Sequence, residues 1–444
     1  MTAISLGQRF AEITVPRYTS YPTAADFTDK VGAKEQATWL AQLDPAEPIS
    51  VYLHVPYCRQ LCHYCGCHAK AVRKDGPVEE YRQALEAEIA LVAARLPGRM
   101  TVGRIAWGGG TPSILGEHGL KSVVEVLKDH FDFATDFEHS IELDPRMLDA
   151  SLARALARLG VNRASLGVQD LHPMVQQAIG RVQPEQQVAQ AVYDLREAGI
   201  SRINFDLIYG LPNQTEEGLL ATCRSVAALS PDRIAFYGYA HLPTRRANQR
   251  LIDESLLPDS HARMRLAETI ATFFPGEGYE PIGIDHFAKP NDPLAVAGRS
   301  GGLHRNFQGY TDDGYRTLLG FGCSSISRLP SGYVQSVSGI EAYKELTMAG
   351  QLPALRGHEM AEDDDERGWI IERLMCDFEV NIESQSRKYV DEIALLRPLV
   401  QEGLVAVSGS HIRLSNRGRP FVRLVAATFD SYRQDDVGIF SPSV

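Results

Sequence analysis

Four of the seven cysteines lie within ten residues, at positions 58, 62, 65 and 67. They follow an apolar stretch at 49–55 that has the pattern of a β-strand, and Pro56 ends this stretch because proline has no backbone N–H to donate. The cysteines are therefore predicted to lie on a loop at the carboxyl end of a strand. Thiolates are soft ligands, and three of them on one short loop can ligate three irons of a cubane cluster.

Two other roles for these cysteines remain open. A structural zinc ion usually takes two separate C-x2-C pairs, since one short loop closes a tetrahedron around the ion with difficulty. Disulfides need an oxidising compartment and usually an even number of cysteines, whereas this chain has seven and starts without the pattern of a secretory leader. The spacing therefore favours an iron–sulfur cluster. The odd number of cysteines and the missing leader pattern favour a cytoplasmic protein.

The elements that must position these cysteines alternate regularly along the chain. Strand-like stretches are predicted at 49–55, 104–107, 140–144, 164–169, 203–209 and 233–239. Between most of them lie helical patterns at 78–96, 118–129, 147–158, 184–198 and 215–229. Six β-then-α units predict an α/β fold in which a parallel sheet, covered by helices, coils into a six-stranded partial barrel.

Polar and glycine residues follow the predicted strands where such a barrel has its active site. They are the glycines at 108–110 with Thr111, then Glu142, Asp144, Gln169, Asp206 and Tyr209. Because the carboxyl ends of parallel strands meet at one mouth, these residues are expected to lie beside the cysteine loop. A carboxylate such as Glu142 or Asp206 suits a ligand with two adjacent hydroxyl groups, because it accepts two hydrogen bonds at once.

Three further regions are predicted to flank the barrel at 49–245. They are a substrate-covering segment at 1–48, a barrel-closing extension at 246–360 and a mostly helical, winged-helix-like domain at 361–444. Basic and acidic residues nearly balance over residues 378–444, and the whole chain has a formal charge of −11, so no nucleic-acid partner is expected. No apolar stretch is long enough to predict a membrane span.

Longer motifs carry a resemblance to one family. They are PRYTSYPTA at 16–24, Y-x-H-x-P-x-C-x3-C-x2-C-G-C at 52–67, WGGGTP at 107–112, DLIYGLP at 206–212 and HRNFQGYT at 304–311. The C-x3-C-x2-C spacing alone resembles the whole radical S-adenosylmethionine (SAM) superfamily. Together, the motifs resemble its oxygen-independent coproporphyrinogen III oxidases, also called coproporphyrinogen dehydrogenases. The similarity extends over nearly the whole chain.

The resemblance implies a set of cofactors and residues. Cys58, Cys62 and Cys65 would hold a [4Fe–4S] cluster whose fourth iron is chelated by SAM, and the family binds two SAM molecules. Residues for the first SAM would be Tyr52, Gly109, Glu142 and Ile326. Those for the second would be Tyr64, Gly110, Thr111, Gln169, Arg181, Asp206 and Ala240. Cys67, Tyr52 and Glu142 would be catalytic.

The implied reaction is the oxidative decarboxylation of two propionates of coproporphyrinogen III to vinyl groups by a 5′-deoxyadenosyl radical, which gives protoporphyrinogen IX. Arginines should bind the four substrate carboxylates, and the substrate-binding residues are expected to be Arg17, Arg305 and Gln308, with Arg245 and Arg246 behind them. The segment at 242–249 is more basic than the resemblance leads one to expect. An external low-potential electron donor, an electron acceptor and a monomeric protein are expected.

The alternative function is that of a haem-binding chaperone from the same superfamily, which binds haem without decarboxylation. Such chaperones typically lack the last cysteine of the C-G-C sequence and much of the amino-terminal segment. Cys67 and the segment at 16–24 therefore favour the oxidase.

Overall fold

A twelve-stranded sheet forms the centre of the protein, whose computed structural model describes residue 10, residues 13–383 and residues 387–433. Six of its strands are parallel and adjacent in chain order: β1 (Ile49–Val55), β2 (Thr101–Gly109), β3 (Asp132–Leu143), β4 (Arg163–Gln169), β5 (Arg202–Tyr209) and β6 (Arg233–Gly238). This order confirms the predicted six-unit partial barrel.

Helices connect these strands: α1 (Gly76–Ala93), α2 (Gly116–His130), α3 (Ala150–Arg158), α4 (Glu185–Glu197) and α5 (Glu216–Leu229). Four buried residues of α2 recur at helical spacing, Leu120, Val123, Val124 and Leu127, and they pack in the same apolar core as the strands. Asp149 and Thr215 cap α3 and α5 by accepting hydrogen bonds from the backbone N–H of Leu152 and Gly218. The apolar periodicity therefore located these helices to within a few residues.

Strand β3 differs from its prediction at 140–144, because it begins at Asp132. Its first half pairs with β2 through Thr101 opposite Asp132, and the register shifts before Arg104 pairs with Glu138. Most of residues 132–138 are exposed or half-buried, so they carry no run of apolar residues. Backbone pairing extends this strand, and backbone pairing leaves little trace in the side-chain pattern.

Residues beyond the barrel extend both edges of the sheet. Near β6 lie β7 (Glu280–Ile282) and β8 (His286–Ala288), and beyond β1 lie β9 (Leu318–Phe321), β10 (Ile326–Leu329), β11 (Gly332–Ser336) and β12 (Ala354–Glu359). Strand β9 pairs in parallel with β1, whereas β8 pairs antiparallel with β6. Helix α6 (Ser260–Gly276) contributes Leu266, Ile270 and Phe274 to the main core.

Shorter elements complete the barrel region. Helices span Ala33–Leu40, Pro173–Ala178, Pro293–Ser300 and Ile340–Met348, and two-stranded pairs join Tyr57–Cys58 to Lys70–Ala71 and His304–Asn306 to Gly309–Thr311. Single 3-10 turns span Ala24–Asp26, Pro112–Leu115, Pro145–Met147, Ala247–Leu251, Glu254–Leu256 and Arg419–Phe421. Among the described helices, none has the length and apolar character that crossing a membrane requires.

The carboxyl-terminal region has its own core. Its helices are Asp364–Asp377, Val390–Leu395, Arg397–Gln401 and Val422–Ala426, and its three-stranded sheet consists of Glu379–Asn381, Val405–Ser408 and His411–Leu414. Val15, Tyr18 and Tyr21 of the amino-terminal segment are buried in this second core. Residues 15–21 and the carboxyl-terminal region therefore share one core. The predicted division into four regions, parts of which lie outside the described residues, stays a prediction.

Candidate active site

The cysteine loop leaves the carboxyl end of β1. The Tyr57–Cys58 strand pairs with Lys70–Ala71, so residues 59–69 form a loop closed at its base. Burial raises the pKa of the Cys58 thiol to about 11, and the neighbouring Cys65 and Cys62 thiols add to this shift. All seven cysteines lie within the described residues and are free. Cys58, Cys62 and Cys65 are thus brought to one place, although among the described residues no three His, Cys, Asp or Glu converge on a single metal-ion position.

The fourth cysteine of the loop stands apart by its exposure. Cys67 is exposed, whereas Cys62 is buried and Cys58 and Cys65 are half-buried. A hydrogen bond with the Cys67 thiol lowers the pKa of Cys65 to about 7, and the Arg246 and Arg181 charges act in the same direction. Arg246, expected behind the substrate arginines, therefore lies near the cysteine loop. The other three cysteines, Cys223, Cys323 and Cys376, are buried, as expected for small apolar side chains.

The glycine segment after β2 packs directly on the cysteine loop. Gly110 N donates to Val55 O at 2.8 Å, and Thr111 N donates to Tyr57 O at 2.8 Å. A Cβ atom on Gly110 would lie 2.5 Å from Tyr57 O, so any larger residue would push the segment away. The Thr111 hydroxyl reaches Cys58 Sγ at 3.4 Å. Gly110 and Thr111 are thus in contact with the base of the loop.

Tyr52 and Glu142, both predicted catalytic residues, meet above the same segment. A Cβ atom on Gly108 would lie 2.8 Å from Glu142 Oε1 and 2.9 Å from Tyr52 Oη. Gly109, with a φ of 107° that favours glycine, donates its N–H to Glu142 Oε2 at 3.2 Å. The absence of side chains at these glycines therefore lets Tyr52, His54 and Glu142 lie directly against the backbone of this segment.

Burial and the nearby Asp206 carboxylate raise the pKa of Glu142 to about 7. Asp206 itself accepts hydrogen bonds from Ser165 Oγ at 2.5 Å and Asn204 Nδ2 at 2.9 Å, while burial raises its pKa. The Asp206 carboxylate on β5 thus acts on Glu142 on β3 across the intervening strand β4. Ile326 lies near Tyr52. Tyr52 of β1 pairs with Gly320 of β9, and a Cβ atom on Gly320 would lie 2.5 Å from Ile326 O.

Arg181 links the cysteine loop to the ends of β3 and β4. Its guanidinium donates to Gly167 O at 2.7 Å, to Asp144 Oδ2 at 3.2 Å and to Cys62 Sγ at 3.5 Å. Gln169, at the end of β4, has a φ of 65°, and its amide lies over Gly167. Burial raises the pKa of the Tyr64 hydroxyl, which the Arg181 charge partly offsets. Ala240, the last residue expected at the second SAM, follows the end of β6.

Arg146 is a contact of the cysteine loop that the sequence did not single out. Its Nη2 lies 2.7 Å from Asp144 Oδ2 and 3.9 Å from Cys62 Sγ. Although burial raises the pKa of Asp144, the Arg146 hydrogen bonds and the Arg181 charge hold it below its ordinary value. The sequence Asp144-Pro145-Arg146 after β3 could have indicated this contact, but only the Asp144 carboxylate was considered a site residue. Hydrogen bonds and charges near a metal-ligating sulfur tune the metal group that it binds.

Arginines gather on the opposite side of the mouth. The Arg305 guanidinium lies 4.3 Å from the centre of the Tyr310 ring, and its buried Nε and Nη1 have no hydrogen-bond partner among the described residues. Exposed Arg17 donates to Gly238 O, at the end of β6, at 3.2 Å. Although burial raises the pKa of Asp285, the charges of His286, Arg305 and Arg17 hold it below its ordinary value. Arg17 and Arg305 are thus close together, and Gln308 is exposed in the turn beyond Arg305.

Two further arginines join this group, and sequence reasoning missed both. Arg423 Nε donates to Pro16 O at 2.9 Å, and burial together with the Arg17 and Arg305 charges lowers the pKa of Arg423 to about 9. Arg263 donates to Tyr239 O at 2.8 Å, and its pKa is lowered by burial and partly by the Arg17 charge. The arginine group is therefore Arg17, Arg263, Arg305 and Arg423, with Asp285 as a neighbouring carboxylate.

Comparisons with known proteins agree with this geometry. Residues 52–226 match the family model of the radical SAM superfamily. The oxygen-independent coproporphyrinogen III oxidase of Cereibacter sphaeroides is 43% identical over 441 residues, which cover 97% of this chain and 98% of the relative. That of Escherichia coli is 39% identical over 425 residues, covering 94% and 93%.

A solved structure extends the comparison to three dimensions. The structure of coproporphyrinogen III oxidase from Escherichia coli, described as a radical SAM enzyme, superposes with a TM-score of 0.90 at 37% identity and covers 94% of this chain and 98% of its own. Relatives of this identity span nearly the whole chain, and the thiol loop and the glycine segment lie inside the matched region. The chain therefore belongs to the oxygen-independent coproporphyrinogen III oxidases, a family of radical SAM enzymes.

Proposed function

We propose that this protein decarboxylates two propionate side chains of coproporphyrinogen III to vinyl groups without oxygen, giving protoporphyrinogen IX in haem biosynthesis. The observation that carries the proposal is the composition of one barrel mouth. A thiol loop lies on one side of it, and a group of arginines lies on the other, in which Arg305 has two buried donors without a partner among the described residues. Such a mouth suits a cluster-dependent reaction on a substrate that carries several carboxylates.

Three thiols of the loop are proposed to hold a [4Fe–4S] cluster, namely those of Cys58, Cys62 and Cys65. Their softness and their closeness on one loop fit such a group, and the Thr111 hydroxyl and Arg181 guanidinium already contact two of the sulfurs. When bound and reduced, the cluster and SAM supply the 5′-deoxyadenosyl radical that removes a hydrogen atom from a propionate β-carbon. An external low-potential protein or reductant provides the electron.

The strand-end residues are proposed to bind two SAM molecules. Tyr52, Gly109, Glu142 and Ile326 would contact the first, and Tyr64, Gly110, Thr111, Gln169, Arg181, Asp206 and Ala240 would contact the second. The buried carboxylates of Glu142 and Asp206 would accept hydrogen bonds from ribose hydroxyls, and Gly108 leaves the space that Glu142 and Tyr52 fill. Glu142 on β3 and Asp206 on β5 would then give each SAM one carboxylate.

The arginine side of the mouth is proposed to hold the substrate. Arg305 can form a paired hydrogen bond with a propionate carboxylate through donors that no described residue uses. Arg17 and Gln308 would contact the substrate nearer to the solvent. Arg423 holds the backbone of Pro16 and thereby keeps Arg17 beside the mouth, where the amino-terminal segment excludes water. The electron released with CO2 leaves to a separate acceptor.

The deciding experiment is an anaerobic assay of the iron-loaded protein with reductant, an electron acceptor, SAM and coproporphyrinogen III. We expect CO2, a product with two vinyl groups and one 5′-deoxyadenosine per propionate. Iron content and the brown absorption of the cluster, measured first, exclude a preparation without the cofactor. Stable haem binding with no vinyl product from such a preparation would overturn the proposal in favour of the haem chaperone. Light scattering tests the expected monomer.

A further inference from the structure

The cysteine loop is held from outside by two adjacent side-chain amides. Asn248 Nδ2 lies 3.0 Å from Cys62 O, 3.0 Å from His63 O and 2.9 Å from Cys65 O. Gln249 Nε2 lies 2.8 Å from the oxygen of the intervening residue, Tyr64. Four consecutive carbonyl groups of the loop therefore accept hydrogen bonds from one short turn, Ala247–Leu251.

These bonds matter because the loop has little backbone pairing of its own. Between residues 59 and 66, the described backbone N–H groups make two bonds to backbone carbonyls, Cys65 N to Cys62 O at 3.3 Å and His63 N to Ile179 O at 2.9 Å. Cys58, by contrast, lies in a strand pair, and its carbonyl accepts from Val72 N at 2.9 Å. One proposed iron ligand is thus fixed by strand pairing, whereas the other two share one 3.3 Å backbone bond and receive further hydrogen bonds on their carbonyls from a side-chain amide.

The orientation of both amides is determined by their neighbours. Three carbonyl oxygens surround one terminal atom of Asn248, and that atom must be nitrogen because an oxygen there would face three acceptors. The Gln249 oxygen accepts from Leu242 N at 2.5 Å, so its nitrogen faces Tyr64. Gln249 is 2% exposed, which leaves it no room to exchange these partners for water.

Gln249 also connects two parts of the mouth that are far apart in the chain. Its Nε2 lies 3.2 Å from Ala240 O as well as 2.8 Å from Tyr64 O. Tyr64 belongs to the cysteine loop and Ala240 follows β6, and both are expected at the second SAM. The amide therefore fixes the separation between the loop and the last strand of the barrel.

We propose that Asn248 and Gln249 are positioning residues that hold the Cys62–Cys65 backbone in the geometry needed for the cluster and for the second SAM. Asn248 orients the two ligand-bearing residues Cys62 and Cys65, and Gln249 keeps Tyr64 beside Ala240. This inference rests on the proposed assignment of Cys62 and Cys65 as iron ligands. Neither amide contacts a thiol, so their effect passes through the backbone of the loop.

The first test replaces Asn248 with aspartate, which has the same shape but presents an oxygen to the three carbonyls. We expect Asn248→Asp in the full-length, iron-loaded enzyme to release iron to a chelator about tenfold faster than the native enzyme, because hydrogen bonds are lost and unfavourable contacts replace them. We also expect faster amide hydrogen exchange in residues 61–67, with or without iron, and unchanged exchange in the barrel strands.

A matched control is available at the opposite end of the barrel. Asn162 also bridges backbone groups, donating to Phe137 O at 3.0 Å and accepting from His139 N at 3.1 Å. Asn162→Asp should leave the iron-release rate and the exchange of residues 61–67 unchanged. If it accelerated both as much as Asn248→Asp does, the effect would be general destabilisation and the proposal would be wrong. Should Asn248→Asp fail to fold, Asn248→Ala removes the donors without adding an acceptor and must show the same two effects.

Gln249→Glu tests the second half of the proposal. We expect it to keep its iron while SAM binding, measured by equilibrium dialysis, weakens about fivefold, because the donors to Tyr64 O and Ala240 O are lost and an oxygen faces these two carbonyls instead. Native iron release and native loop exchange in both Asn248 variants would overturn the inference. Failure of the iron-ligand assignment can be told apart from failure of this inference. If Cys62→Ser kept its iron, Cys62 would not be a ligand. Amide exchange in the iron-free protein would still measure whether Asn248 holds the loop.

Discussion

The two sides of the barrel mouth are built in opposite ways. On the thiol side, four cysteines lie within ten residues of the chain. On the arginine side, Arg17, Arg263, Arg305 and Arg423 come from four distant segments, and Arg423 contacts the backbone beside Arg17 across 407 positions. A metal cluster is small, so its ligands fit on one short loop. The carboxylates of a large macrocycle are far apart, so the residues that bind them can come from anywhere in the chain.

The two sides also differ in their balance of charge. Beside the thiols, Asp144 pairs with both Arg146 and Arg181. On the other side, Arg17 and Arg305 both act on Asp285, and repulsion from the same two arginines contributes to the lowered pKa of Arg423. A ligand that brings carboxylates would relieve this repulsion. The comparison therefore predicts that damage to the thiol side removes the cofactor, whereas damage to the arginine side weakens substrate binding.

The largest effect is expected from the proposed iron ligands. Replacing Cys58, Cys62 or Cys65 with serine should abolish the cluster and all activity, since a hydroxyl is a hard and weakly acidic ligand. Iron content and the visible spectrum measure the loss. Cys323→Ser is the control, because Cys323 is buried in a separate apolar cluster. Equal iron loss in that variant would refute the ligand assignment.

Cys67→Ser separates the exposed cysteine from the other three. If Cys67 were an iron ligand, it would occupy the iron that SAM must chelate, so Cys67 is not expected to hold the cluster. We therefore expect the variant to keep its iron and to cleave SAM. Decarboxylation should fall about a hundredfold, the lower range for a positioned catalytic group. Parallel measurements of 5′-deoxyadenosine and of vinyl product reveal this uncoupling. Iron loss in this variant would instead show that all four cysteines are ligands.

The arginine side is tested by Arg305→Ala. Loss of a charge-assisted pair with a carboxylate costs about 1.5–3 kcal/mol, so kcat/KM for the substrate should fall about 10- to 150-fold. SAM cleavage without substrate should stay close to the native rate. Arg299→Ala is a suitable control, because Arg299 forms an ion pair with Glu280 on the outside of the barrel extension. A loss of iron in Arg305→Ala would contradict the proposed division between the two sides.

The affinity of the thiol side for SAM should depend on pH through Glu142. Because its pKa is raised to about 7, the free protein loses the Glu142 carboxylate as the pH falls through 7. The ionised form is the stronger acceptor for ribose hydroxyls, so SAM affinity should decrease about tenfold from pH 8 to pH 6. Glu142→Gln should bind SAM more weakly at pH 8 and lose this pH dependence. An identical pH profile in the variant would assign the dependence to another group.

The smallest effect is expected from Arg17→Ala. Arg17 is exposed, and its described hydrogen bond goes to a backbone carbonyl, Gly238 O. A screened, solvent-facing contact contributes little, so KM for the substrate should rise about threefold with kcat unchanged. Titration at increasing ionic strength should reduce the difference between the variant and the native enzyme. An effect as large as that of Arg305→Ala would place the main carboxylate contact at the amino-terminal segment.

The alternation of strands and helices was evident from the sequence, and so were the thiol loop, the glycine segment and the strand-end carboxylates. Each of these features is local, because apolar periodicity and turn residues are set within a few positions. Parallel packing then brings every strand end to the same mouth, which is why Glu142 and Asp206 could be expected near the cysteines.

Only the tertiary structure decided the contacts that span long distances. The amides of Asn248 and Gln249 bind carbonyl groups more than 180 positions away, and carbonyl groups are common to all residues. Arg423 was part of a region whose charges nearly cancel, yet the packing of Val15, Tyr18 and Tyr21 into that region brings it to Pro16. The first half of β3 exists through backbone pairing. A sequence records side chains in order, and these features depend on which distant backbone groups meet after the two cores have packed.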